Sequence, residues 1–124
     1  MIIPELITFL LDKTSAVKNV FAERPSIIPS EYILVEQTGS MRDNFITTST
    51  ITIQCISDSM QGGSLLQAMI LNDEVKDALL GDSTSYGLVE EPEIISIELN
   101  SDYNFTDTET SEYRYQAVYV ITHY

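Results

Sequence analysis

The single histidine, His123, is the one imidazole base the chain offers, and a serine or cysteine nucleophile needs such a base within hydrogen-bond reach and a carboxylate to orient it. It stands one residue from the end of a segment that reads as a strand, and no nucleophile motif accompanies it. A structural or exposed imidazole is the expected role. Glu90, Glu91 and Glu93 could act as paired acid and base, but such pairs need a cleft and no spacing marks one. A solvated acidic turn is the plainer reading. Asp102, Asp107, Glu109 and Glu112 are oxygen donors of the kind calcium takes, yet they lack the ligand spacing and central glycine of an EF-hand. Gly62 and Gly63 are too short a run, too far from any lysine, to cradle phosphate, and Lys76 lies inside a predicted helix. No catalytic residue, cofactor or metal site is assigned from the sequence. Cys55 sits in an apolar alternating segment, which predicts a core thiol. One cysteine allows no intrachain disulfide and favours a reducing compartment.

The composition narrows the classes of function. With 124 residues, 44% of them apolar, the chain can bury a sizeable core and reads as one compact domain, residues 1–124. Six basic residues against nineteen acidic ones give a net charge of −13, which opposes tight binding to a phosphate backbone. Passage of DNA past an acidic wall is compatible with it. The apolar N-terminal residues Ile2, Ile3, Leu6, Ile7, Phe9, Leu10 and Leu11 lack a basic leader and are interrupted by Glu5 and Asp12. They predict a packed helix rather than a signal peptide. No run reaches the roughly 18 apolar residues of a membrane span, so no membrane partner is expected. The sequon at Asn104 is then a chance match.

The elements that would position these residues follow from periodicity. Pro4 and Glu5 suit a helix start, and Leu6, Ile7, Leu10 and Leu11 fall at helical spacing, predicting a first helix to about Thr14. Val17, Val20 and Phe21 fit a short strand or a helix continuation before Arg24 and Pro25, with the strand preferred. Tyr32 to Gln37 reads as a strand, with Gly39 and Ser40 opening a loop through Asn44. Ile51, Ile53 and Cys55 alternate with Thr50, Thr52 and Gln54, the period of a half-buried strand. Ser64 and Gln67 form a capping box for a second helix whose apolar stripe is Leu65, Ala68, Leu71, Val75, Ala78 and Leu79, ended by Gly81. After a turn at Ser83 to Gly87, Ile95, Ile97 and Leu99 alternate, and Asn100 to Ser111 returns the chain to a terminal strand from Arg114 to Tyr124. On that strand Tyr115, Ala117, Tyr119 and Ile121 share one face, and Val118, Val120 and Tyr124 the other. Apolar residues on both faces mean cover on both, by the protein's own helices or by another subunit. The expected class is α+β, a mixed or antiparallel sheet carrying both helices on one face.

This order of elements, from the helix at Pro4 to Lys13, past Arg24 and Pro25, through Tyr32 to Gln37, Thr50 to Gln54 and Ala68 to Leu79, to the closing Arg114-Tyr115-Gln116 and Tyr124, resembles the tail-terminator or tail-completion proteins of long-tailed bacteriophages, also labelled minor capsid or neck proteins. The resemblance covers essentially the whole chain and rests on no single specific motif. It implies a non-enzymatic virion protein of the tail or neck, assembled in the bacterial host cytoplasm. It further implies a homo-oligomeric ring, usually a hexamer, that caps the tail tube and offers a surface for head-tail joining. The implied partners are the tail tube protein and a head completion or stopper protein, with DNA only passing through the lumen. A ring closes by a heterologous interface built from two different patches. Arg42 and Arg114 are the basic candidates for it, facing Asp107, Glu109 or Glu112 of a neighbour, with Tyr115 as an aromatic candidate and an intrachain charge as the alternative. A head-side adaptor or stopper is the competing assembly role. A small acidic enzyme or ligand-binding domain with a site formed by carboxylates, and a nucleic-acid mimic, are the readings from other classes.

Overall fold

Turn chemistry joins the two longest strands. In the computed structural model, which describes Ile7 and residues 19–27, 29–80, 94–106 and 112–123, Asn44 has a φ of 56°. Asparagine tolerates that left-handed backbone, and with Phe45 it makes a two-residue connection between β2 (Glu31–Asp43) and β3 (Ile46–Asp58). The loop expected at Gly39 and Ser40 is therefore strand. Gln37 faces Ile51 and Gly39 faces Thr50, which leaves Thr38 as the extra residue of a bulge. The glycine marks a kink in the ladder, not its end.

Five strands form one mixed sheet in the order β1-β2-β3-β5-β4. β1 (Val20–Phe21) runs parallel to β2, while the β2–β3, β3–β5 and β4–β5 pairs are antiparallel, with β4 at Ile94–Asn104 and β5 at Glu112–His123. The preference for a strand at Val20 and Phe21 holds. β4 continues through Asn104, past the return expected at Asn100, and shifts register between Leu99 and Ser101.

One face of this sheet carries Ile33, Val35, Ile51, Ile53, Cys55, Ala117, Tyr119, Ile121 and Ile97 in register, and α1 (Leu65–Leu80) packs Leu71, Val75 and Leu79 onto it. Each such aliphatic side chain contributes about 1.5–3 kcal/mol relative to leaving it in water. Of the stripe assigned to this helix Ala68, Leu71, Val75 and Leu79 are buried, Ala78 is half-buried and Leu65 is exposed, and the polar Asn72 is buried beside them. Two packed helices were expected. Among the described residues α1 is the one complete α-helix, and of the segment from Pro4 to Thr14 only Ile7 is described, helical and packed against the core. Gly81 and the turn from Ser83 to Gly87 lie outside the described residues, as do Glu90, Glu91, Glu93 and Tyr124.

The start of α1 is tied to the end of β3. Ser64 Oγ accepts from the Gln67 amide at 3.3 Å, as an N-cap should. Gln67 does not reach back to Ser64. Instead the Ser64 amide donates to Ser57 Oγ at 2.9 Å, and Ser57 Oγ donates to Gln67 Oε1 at 3.2 Å. A Cβ at Gly63 would collide with Ser57 Oγ and the Asp58 carbonyl, so only glycine lets the helix start this close to the strand.

Candidate functional site

The sheet presents different chemistry at its two ends. At the end where β3 finishes and β5 begins, Glu112 is buried opposite Asp58 on the face away from α1. Its Oε1 accepts from Arg24 Nη1 at 2.7 Å and its Oε2 from the Tyr32 hydroxyl at 2.5 Å. Arg24 Nη1 also lies 3.3 Å from that hydroxyl, and Arg114 Nη2 lies 3.6 Å from Glu112 Oε1. The hydrogen bond to Glu112 holds the Arg24 guanidinium charged, raising its pKa above the ordinary value. Burial, reinforced by the Glu112 carboxylate, pushes the Tyr32 phenol well above its usual range. A carboxylate supplied with donors in this way is a structural anchor, fastening the segment before β2 to the start of β5. Arg114 also sits over the Phe105 ring, 5.9 Å from its centroid, and Phe105 meets Tyr103 edge to face.

The opposite end is the tip of the β2–β3 hairpin, where Met41 is 73% and Phe45 77% exposed and Ile46 is partly exposed. Apolar side chains grouped at one end of the sheet are unlike the scattered exposed residues of an ordinary surface. The outer side of α1 adds Leu66, Met69 and Ile70, all exposed.

The sequence candidates divide between these places. Arg42 is exposed on the hairpin, its Nε donating to the Asn44 carbonyl at 3.4 Å. Glu112 is engaged by both Arg24 and Arg114 inside the chain, and Tyr115 is half-buried opposite Cys55. Asp107 and Glu109 lie outside the described residues. Cys55 is a core residue, its thiol pushed up by burial. His123 is buried rather than exposed, and its Nε2 is 2.9 Å from Ser49 Oγ. Both residues are buried on neighbouring strands, where the contact gives each buried polar group a partner within the sheet. Among the described residues no cluster of three or more His, Cys, Asp or Glu side chains is placed to hold a metal, and no helix is long and apolar enough to cross a membrane. Sequence reasoning missed Arg24 and Tyr32, and it also missed the apolar tip. The signal for the tip was present: Asn44 followed by Phe45, between a strand ending at Asp43 and one opening at Ile46.

No family model and no curated protein matches the chain. Among solved structures, a chain from the virion of a native gene transfer agent particle has the same fold, with a TM-score of 0.61 at 15% identity, covering 95% of this chain and 83% of that one. At that identity the likeness is one of fold.

Proposed function

We propose that this chain is a non-enzymatic virion structural subunit, and more finely a tail terminator. In this reading one domain, residues 1–124, assembles into a ring of six that caps the tail tube, ends its polymerisation and presents the surface to which the head joins. The observation that carries the reading is the fold shared along 95% of the chain with a component of a gene transfer agent virion. The resemblance of the sequence to the tail-terminator family supports the same reading. The apolar hairpin tip supports it as well, since a subunit that must touch copies of itself, the tail tube protein and a head completion protein needs exposed contact residues. The net charge of −13 suits a lumen through which DNA slides without sticking. The site of action in this reading is the tail or neck of the virion, after assembly in the host cytoplasm.

Arg42, exposed on the hairpin, remains the basic candidate for a contact between subunits, with Asp107 and Glu109 as carboxylates to meet it. Arg114, Glu112 and Tyr115 belong at such a contact only at its margin, because each is already partly or wholly covered within the chain. Electron microscopy of tails made without this protein tests the proposal. Overlong or unjoined tails are expected. Tails of normal length that join heads would remove the terminator role, and copurification with heads instead of tubes would assign the head-side adaptor.

A further inference from the structure

Resting on the ring reading above, we infer that neighbouring copies join by main-chain pairing of two sheet edges, the outer half of β2 in one copy against β4 of the next. β1 pairs with β2 only at Ile33 and Leu34, so from Glu36 to Asp43 the outer side of β2 has no strand beside it among the described residues. β4 is the other end of the sheet, and its outer side is likewise unpaired among the described residues. Neither stretch contains lysine or proline, two of the residues that blunt an unpaired edge, although each carries a bulge, at Thr38 in β2 and between Leu99 and Ser101 in β4.

Geometry makes a second copy the fitting occupant. β2 and β4 run in opposite directions, as the three successive antiparallel pairings across β3 and β5 require. A copy rotated about an axis parallel to the strands therefore brings its β2 antiparallel to β4 of the first, continuing the sheet. The two edges are also level. Met41 pairs with Thr48, Thr48 with Thr122 and Thr122 with Ser96, while Gly39 reaches Glu98 by way of Thr50 and Val120. Side chains matched in this way share a face of the sheet, so the pairing needs no flip of register. Each added copy exposes the same two edges again, and a head-to-tail contact of this kind closes into a ring when the rotation allows.

Cysteine pairs Met41→Cys with Ser96→Cys, and Gly39→Cys with Glu98→Cys, test the contact. Within one chain the two members of a pair lie three strand spacings apart, about 14 Å at ~4.8 Å each, beyond the roughly 7 Å between Cα atoms that a disulfide spans. Any bond formed therefore joins two subunits. Cys55 is fully buried and does not take part. A Cβ at Gly39 meets only ordinary contacts with Thr50, so that variant should fold, and circular dichroism checks it. Oxidation of the concentrated double variants should give a disulfide-linked ladder that stops at a fixed size, with the single variants giving dimers at most. Folded double variants that also stop at dimers would overturn the edge contact. A ladder from a protein whose absence leaves tails normal would keep the contact and remove the terminator role. Overlong tails in its absence with no ladder would do the reverse.

Discussion

The β2–β3 hairpin runs one antiparallel ladder through two environments. From Tyr32 to Val35, and from Ile51 to Asp58 except for half-buried Gln54, its side chains are buried, with Ile33, Val35, Ile53 and Cys55 under α1 and Tyr32, Leu34 and Ile56 on the other face. From Gln37 to Ile46 all but Gly39 are exposed, and the apolar ones there touch solvent. The β2–β3 ladder is antiparallel in both halves, so formation of the hairpin does not separate them. The difference is what lies above and below the sheet. Covered side chains fix the fold, and uncovered apolar ones are free to be covered by something else.

The strongest way to break this division is to attack the covered half. Leu71→Ala removes a buried side chain pressed onto the sheet and should lower unfolding stability by about 2–5 kcal/mol in chemical denaturation. Leu79→Ala should behave alike. A loss within error of zero for both would mean the core face is misassigned.

Next comes the anchor at the end of that half. Glu112→Ala leaves the Tyr32 hydroxyl without its acceptor, while Arg24, whose side chain is 55% exposed, turns back to water. The expected cost is about 1–3 kcal/mol, from the stranded buried hydroxyl. The Glu112→Ala, Tyr32→Phe double variant should recover part of it, because both buried polar partners are then gone. A double variant less stable than Glu112→Ala would show that the hydroxyl has another role.

A smaller effect is expected where α1 meets β4. Burial raises the Asp102 carboxyl, but hydrogen bonds from Lys76 Nζ at 2.6 Å and Asn72 Nδ2 at 2.8 Å outweigh it, so its pKa lies below the ordinary value. A carboxylate depressed in the folded state contributes stability that is present above its unfolded pKa, about 3.9, and that is lost as pH falls through the folded value. Lys76, raised chiefly by its hydrogen bond to Asp102, stays charged throughout that window. Asp102→Asn should flatten the acid limb of a stability-against-pH curve measured by denaturant midpoint. An unchanged acid limb would place the dependence on other carboxylates.

The two halves were not equally legible in the sequence. α1 and β3 were, because their apolar periods of 3.6 and 2 match the faces they bury, from Ala68 to Leu79 and from Ile51 to Cys55. β2 was cut short because Gly39 and Ser40 have turn chemistry, and only the facing strand decides between a turn and a bulge. The anchor was invisible for a different reason. Tyr32 and Glu112 are 80 residues apart and Arg24 and Glu112 are 88 apart, so no local pattern joins them, and Arg114 looked available when its partner lay two residues away. The Ser64 cap was readable, but the part taken by Ser57 was not, since it depends on how closely the helix start approaches β3.

The smallest effect on stability belongs to the hairpin tip, and it is the one that sharpens the division most. Phe45→Ser removes an apolar ring that is 77% exposed. Since little area leaves water when the chain folds, the change in unfolding free energy should fall within about 0.5 kcal/mol. If the tip exists to be covered by another subunit or the tail tube, the same substitution should weaken self-association in sedimentation and impair tail completion in complementation assays, and Met41→Ser should do so too. Leu71→Ala supplies the opposite profile, a large loss of stability with association lost only as the fold is lost. A Phe45→Ser protein that melts as early as Leu71→Ala would make the tip part of the core. One that is as stable as the parent and assembles normally would leave the exposed ring without a partner and move the contact surface to the outer side of α1, where Leu66 and Ile70 are the most exposed apolar residues of that helix.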